Sequence, residues 1–321
     1  MRSPGSLIFA SFLLCSACGP VDPDEGANWA DASSNADSNT NNNADAYVPP
    51  PMDDSCNKMD IVFVIDDSGS MAEEQSNLAN NFPQFAQVLE TYQTQSGELL
   101  DYRVAVTSTG RDLDYTLELP PPLGQTPFSE DGLNGAFRQV SGMTRRWIER
   151  SDGNLVSIFP QLASIGTGGP SYEMPLMMLD WAFNDRVADG TNQGFLRQDA
   201  LLAIVVLTDE DDCSFEGNNF NVGLFEEPCS TFPLVDVPAA LAMLDSVKNG
   251  RERWAVATIA GETSCMTALG DAAEATRLKD FVAQTGENGV FSSICQGDLS
   301  SPLADALATF DAACQSFPPI E

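Results

Sequence analysis

Ile61-Val62-Phe63-Val64-Ile65-Asp66-Asp67-Ser68-Gly69-Ser70 runs five apolar residues straight into a polar turn. A short apolar run rich in β-branched residues and bounded by turn residues reads as a strand buried on both faces, as in the middle of a parallel sheet. At its carboxyl end, Asp66, Ser68 and Ser70 put one carboxylate and two hydroxyls on a tight turn, where open α/β sheets bind their ligands. An all-oxygen set of this kind suits a hard divalent cation.

Such an ion wants more oxygen than one turn supplies. A second apolar run, Leu201 to Leu207, stops at Thr208-Asp209-Glu210-Asp211-Asp212, so a further carboxylate cluster lies at a further strand end. Between the two runs, Ile165-Gly166-Thr167-Gly168-Gly169-Pro170-Ser171 is a flexible, hydroxyl-bearing loop that leads into an apolar helical stretch, Glu173 to Phe183. Three loops can then converge on one ion.

Asp66-x-Ser68-x-Ser70, the loop threonine Thr167 and the strand-terminal Thr208-Asp209 resemble the metal-ion-dependent adhesion site of von Willebrand factor type A domains. The resemblance covers roughly residues 56 to 315. It implies a three-layer α/β/α, doubly wound and mostly parallel sheet with one antiparallel edge strand. It also implies a divalent cation on Asp66, Ser68, Ser70, Thr167 and Asp209, with Mg²⁺ first and Mn²⁺ or Ca²⁺ as alternatives. The spacing from Thr167 to the next helix is slightly long for the family, so Ser171 is an alternative ligand. In the family the ion can keep a position for an acidic side chain of a partner protein.

Other readings compete at single residues. Ser70 with Glu73 fits a helix capping box. Glu210, Asp211 and Asp212 fit a solvated acidic loop, with a supporting or second cation site as the alternative.

Arg2 and the apolar stretch Leu7 to Leu14, too short to span a bilayer, precede Cys15-Ser16-Ala17-Cys18. Residues 1 to 17 therefore read as a secretory signal. The segment resembles a bacterial lipoprotein box with lipid on Cys18, although Cys15 stands where leucine is usual. Gly19 in place of an aspartate points, by the same resemblance, to the outer membrane, with the domain facing the periplasm or the cell surface. Residues 18 to 55 lack Lys and Arg and are rich in Asn, Asp, Ser, Ala and Pro. Such a segment cannot bury enough apolar surface to fold, and as a flexible tether it would span roughly 35 Å. Residues 56 to 321 make one α/β domain.

The formal net charge of −32 makes nucleic acid and bare anionic lipid poor partners. Beyond the signal and Cys18, six cysteines remain, which in an exported chain suggest three disulfides of fifteen connectivities. The expected pairing closes the insert after the Asp209 strand with Cys213–Cys229 and spans the last helix and strand with Cys265–Cys295. Cys56–Cys314 then joins the ends of the folded unit, as in some type A domains, and stabilises it by about 3 to 5 kcal/mol.

The remaining pattern alternates strand and helix. Helices are expected at Glu73 to Tyr92, kinked or divided at Pro83, and at Leu155 to Ile165, Glu173 to Ala188, Pro238 to Lys248, Asp271 to Gln284 and Pro302 to Cys314. Strands are expected at Tyr102 to Ser108, Trp254 to Ala260 and Gly289 to Ile294, with an antiparallel edge strand around Arg145 to Glu149. The rest of residues 109 to 150 gives no clear element.

Enzymatic readings lack their parts. Without histidine, neither a Ser-His-Asp nor a Cys-His mechanism is available. Lys58, Lys248 and Lys279 stand in no serine-lysine motif, no phosphate loop is present, and Ser68 occupies the place where an aspartyl phosphotransferase needs its second acid. The expected function is an envelope-tethered, non-enzymatic binding module that recognises a carboxylate-bearing protein through its cation. The alternatives are a structural lipoprotein whose ion stiffens the loops, and a metal-dependent hydrolase built on Glu210 to Asp212.

Overall fold

A computed structural model describes residues 56–94, 97–267 and 270–319. The expected signal, the lipidation residue Cys18 and the tether lie outside the described residues. In chain order the strands are β1 (Lys58–Ile65), β2 (Asp101–Ser108), β3 (Leu113–Glu118), β4 (Gln125–Glu130), β5 (Ile148–Glu149), β6 (Leu201–Leu207), β7 (Asn219–Gly223), β8 (Trp254–Ala260), β9 (Cys265–Thr267), β10 (Gly270–Ala272) and β11 (Gly289–Ser293). The helices are α1 (Ala72–Thr91), α2 (Leu155–Ala163), α3 (Pro175–Phe183), α4 (Asp185–Ala188), α5 (Pro228–Thr231), α6 (Val237–Lys248), α7 (Thr276–Thr285) and α8 (Ser300–Gln315).

The architecture is mixed α/β around a mostly parallel sheet of order β11-β8-β6-β1-β2-β5. Every pairing in it is parallel except β2 with the short edge strand β5. β6 and β8 are buried along their whole length, as inner parallel strands must be when both faces are covered. Side chains alternate between two apolar clusters. Phe63, Val106, Val205 and Ala257 pack with Phe82 of α1, Phe159 of α2 and Phe310 of α8. Val62, Val64, Ile204 and Val256 pack with Leu179 of α3, Leu244 of α6 and Phe281 of α7.

Register decides where the loops emerge. Ile65 lies beside Ser108 on one side and Leu207 on the other, so β1, β2 and β6 finish on one line. The ladder continues one step beyond: Asp66 N donates to Leu207 O at 2.9 Å and Thr109 N to Ile65 O at 3.1 Å. Asp66, Thr109 and Thr208 are thereby neighbours across three strands.

The amino ends of the same strands hold a buried polar network. Asp60 is fully buried, and its carboxylate accepts from Arg197 N at 2.6 Å and from Arg197 Nε at 2.8 Å. Arg197 Nη1 also reaches Asp101 at 2.6 Å. Lys248, fully buried too, donates to the carbonyls of Arg197 and Ala200 at 2.6 and 2.8 Å. Burial lowers Lys248 from 10.5 to about 8. Between those two values the unfolded chain binds more protons than the folded one, so this group's contribution to stability rises with pH and is lost as pH falls through about 8. Lys248→Met is expected to flatten that rise in the urea midpoint; superimposable profiles for variant and wild type would refute the coupling.

A second sheet, of order β4-β3-β7, extends from the carboxyl end of β2. Its face is aromatic: Tyr115 stacks on Phe128 and Phe220 at centroid distances of 5.1 and 5.5 Å, and Phe215 packs on Phe220 at 5.3 Å. Buried Arg111 ties this sheet to the main body, its guanidinium 5.6 Å from both the Trp181 and Phe215 rings and donating to Gly217 O.

Three disulfides, Cys56–Cys314, Cys213–Cys229 and Cys265–Cys295, close the described chain and fit an oxidising, extracytoplasmic setting. Among the described residues no helix is long and apolar enough to cross a membrane.

Three expectations need correction, and one segment left without an element acquires its structure. α1 runs undivided past Pro83, whose side chain is exposed, so the missing backbone bond falls on the solvent side. The stretch expected as one helix from Glu173 to Ala188 starts at Pro175, with Pro at its first turn, and breaks at Asn184 into α3 and α4. The helix expected from Asp271 starts at Thr276, because 270–272 pairs with 265–267 in a hairpin. Within 109 to 150, β3 and β4 form a hairpin that pairs with distant β7.

Candidate metal centre

The turn after β1 is arranged by Asp66. Its side chain is fully buried; Oδ1 accepts from Ser68 N at 2.7 Å and Oδ2 from the Thr208 hydroxyl at 2.6 Å. A carboxylate has about four acceptor positions, so Asp66 keeps capacity for another contact. Ser68 and Ser70 bring their hydroxyls within 3.1 Å of each other. The Ser70–Glu73 capping box does not form: α1 begins after Met71 with no side-chain cap. Ser70 instead faces Asp209.

Asp209 leaves β6 one residue beyond Thr208 and is 2% exposed, with Oδ1 lacking any hydrogen-bond partner. Burial pushes its carboxyl up to about 7; the Ser70 hydroxyl opposes the rise, and the charges of Asp66, Glu210 and Glu74 add to it. Asp66 and Glu74 are raised as well, burial being the largest cause for each. Glu74, in the first turn of α1, has an orphaned Oε2. Asp67 points the other way, beside Ser108, and burial takes it to about 6.

The loop after α2 is laced to this turn. Gln75 Nε2 donates at 2.8 Å to both Asp66 O and Gly166 O, while Gly166 N donates back to Gln75 Oε1 at 3.2 Å. Gly169 N donates to Asp67 O at 2.8 Å. A Cβ on Gly169 would sit 2.3 Å from Asp67 Cγ, whereas one on Gly168 would meet nothing within 4 Å. Gly169→Ala is therefore expected to cost about 1–3 kcal/mol by prising the loop from the turn. Gly168→Ala is the control; equal urea midpoints for the two variants would contradict this account.

Of the expected ligands, Asp66, Ser68, Ser70 and Asp209 come together. Thr167 lies on the laced loop, exposed, with no side-chain hydrogen bond among the described residues. Ser171 is engaged elsewhere: its hydroxyl and amide bond Glu130 of β4 at 2.8 and 2.9 Å. The acidic run divides. Asp211 accepts the Arg277 and Leu278 amides at the start of α7. Asp212 accepts the Leu176 amide in the first turn of α3, the Ser214 hydroxyl and the Arg277 guanidinium. Two helix amino termini thus use these charges, an arrangement the helix dipole favours. Glu210 remains on the outer side, exposed.

Sequence reasoning missed Glu173 and Gln75 as members of the site. Glu173 is 2% exposed, shares a side-chain hydrogen bond with Glu210, and has an orphaned Oε2. Burial first, and then the acids Asp66 and Glu210, push it up to about 11.

Such a concentration of buried, raised carboxylates with unpartnered oxygens is costly unless something offsets their charge. None of Asp66, Asp209, Glu173 and Glu74 has a Lys or Arg ion pair among the described residues. Among the described residues no group of three or more His, Cys, Asp or Glu side chains is placed to hold a metal ion, so any ion here would depend on hydroxyl and backbone oxygens beside at most two carboxylates. Oxygen-only donors, orphaned acceptors and absent counter-charge together fit a hard cation.

No family model and no curated protein matches the chain. Among solved structures it is similar to the pilus adhesin SpaC from Lactobacillus rhamnosus GG in its open conformation, at TM-score 0.42 and 12% identity, over 81% of this chain and 30% of that one. It is likewise similar to proximal thread matrix protein 1 from the mussel byssus, at TM-score 0.40 and 12% identity, over 79% of this chain and 48% of that one. The chain thus spans less than half of either protein, and likeness at these scores carries no argument about function.

Proposed function

We propose that residues 56 to 321 are a three-layer, doubly wound type A domain with a metal-ion-dependent adhesion site, working as a non-enzymatic binding module. The observation that carries this reading is the in-register ending of β1 and β6, which sets Asp66, Ser68, Ser70 and Asp209 together with buried oxygens left unpartnered. Mg²⁺, Mn²⁺ or Ca²⁺ would be held by these residues and an oxygen from the loop after α2. The ion would supply a local positive centre able to coordinate a carboxylate on a partner protein, which a chain of net charge −32 would otherwise repel. The hydrolase alternative loses Asp211 and Asp212, whose oxygens are already committed to helix amides. Export and tethering to the envelope through Cys18 belong to this proposal.

The test is calorimetric titration of Mg²⁺, Mn²⁺ and Ca²⁺ into the metal-stripped full chain and its Asp66→Ala variant. Saturable binding in the wild type, lost in the variant, is expected. No binding, or binding unchanged by the substitution, would overturn the reading.

A further inference from the structure

We propose that the cleft between α3, α6 and the second sheet binds a small, mostly apolar monocarboxylate, with Arg111 as the partner of its carboxylate. The cleft shares no residue with the cation site and needs no metal.

Its volume is about 310 Å³, at the lower end of the range for small-molecule sites, ~300–1,000 Å³. α3 contributes Met177 and Trp181 to the wall, α6 contributes Ala239 and Met243, and Arg111 lines it from the segment between β2 and β3. Apolar walls with a single cation suit a molecule that carries one negative charge on an apolar body.

Arg111 is the feature that calls for a ligand. It is 3% exposed, yet no carboxylate pairs with it among the described residues. Of its N–H donors, Nη2 bonds Gly217 O, Nη1 meets only the Met177 sulfur at 3.4 Å, a weak acceptor, and Nε has no partner. The Trp181 and Phe215 rings, each 5.6 Å away, attract the cation and steady it. Ring faces do not replace the oxygen acceptors that a buried guanidinium has lost. In a chain with 47 acidic and 15 basic residues, an arginine buried without an acid does not reflect a shortage of partners. A ligand carboxylate would supply the missing oxygens, and arginine can take one with two parallel N–H bonds.

The rest of the wall narrows the class. Half-buried Asp180 and exposed Glu216 also line the cleft, and neither is within ion-pairing distance of Arg111. Their charges would repel a phosphate or a dicarboxylate, whereas Arg111 can offset a single carboxylate. The apolar body would then lie against Trp181, Met177 and Met243.

Calorimetric titration of 3-phenylpropionate, hexanoate and indole-3-acetate into the full chain, each beside its uncharged amide, tests this. Metal-free buffer keeps coordination at a cation from mimicking the result. Saturable binding of at least one acid is expected, ~10-fold or more tighter than its amide, because the amide forfeits the charge-assisted bond. Arg111→Met is expected to bring the acid down to the affinity of the amide. Since that substitution can also loosen the second sheet, Ala239→Phe is run beside it. Ala239 is exposed on α6, so the added ring fills the cleft and leaves Arg111 in place; acid binding should vanish at an unchanged urea midpoint. No saturable binding of any of the three acids, equal affinity for acid and amide, or acid affinity retained in either variant would overturn the inference.

Discussion

Replacing Arg197 with methionine is expected to lower stability at neutral pH by about 3–5 kcal/mol. The guanidinium is 13% exposed and Asp60 fully buried, so the substitution strands a charge inside the protein and does not merely remove a surface contact. Burial already raises Asp60 above its ordinary value, with Arg197 as the main opposing influence, and the raised value would climb further without it. An acid that binds its proton more tightly folded than unfolded costs stability above its folded pKa and ceases to do so as pH falls toward its unfolded value, ~3.9. The gap between variant and wild-type urea midpoints is therefore expected to narrow steadily on acidification. A gap independent of pH would mean that lost packing, and not the stranded carboxylate, sets the cost.

Replacing both Cys56 and Cys314 with alanine is expected to cost about 3–5 kcal/mol, from a total that for most domains is only ~5–15. The bond spans 258 positions, and the conformational freedom it removes from the unfolded chain grows with the logarithm of that separation. Both cysteines are buried, at 6% and 5% exposure, so the exchange also leaves a small void. Cys265–Cys295, with a separation of 30, closes a much shorter loop, and its removal is expected to cost less. Urea denaturation of the two double variants checks the order. The same loss for both would show that local strain, and not chain entropy, governs these bonds.

What was legible in the sequence follows from burial pattern. β1, β6 and β8 are unbroken apolar runs with polar residues at their ends, so both their existence and the polar character of their carboxyl edge could be read directly. The second sheet could not. β4 is exposed along almost its whole length and contains Pro127, and β7 lies far along the chain inside an insert, so neither shows an apolar period and their shared partner β3 is set by a long-range pairing. The site divides the same way. Asp66, Ser68, Ser70 and Asp209 sit where strand ends alone place them. Glu173 heads an apolar stretch, where an acid reads as an ordinary helix-start residue. Its burial and its orphaned oxygen are consequences of how the loops after β2 and β6 close around it. Asp211 and Asp212 mislead for the converse reason: adjacent in sequence, they turn to the amino ends of two different helices.

The proposed cation site and Cys56 lie at opposite ends of one strand, β1. A pull between a partner held beyond Ile65 and a chain leaving at Cys56 would run along that strand. It is flanked on both sides, by β2 over its whole length and by β6 from Met59 onward. Hydrogen bonds lie across a strand, so such a load would shear both ladders at once and not open them one bond after another. The disulfide at Cys56 would meanwhile pass part of the tension directly to α8. As a mechanical element the domain would be loaded along its stiffest direction.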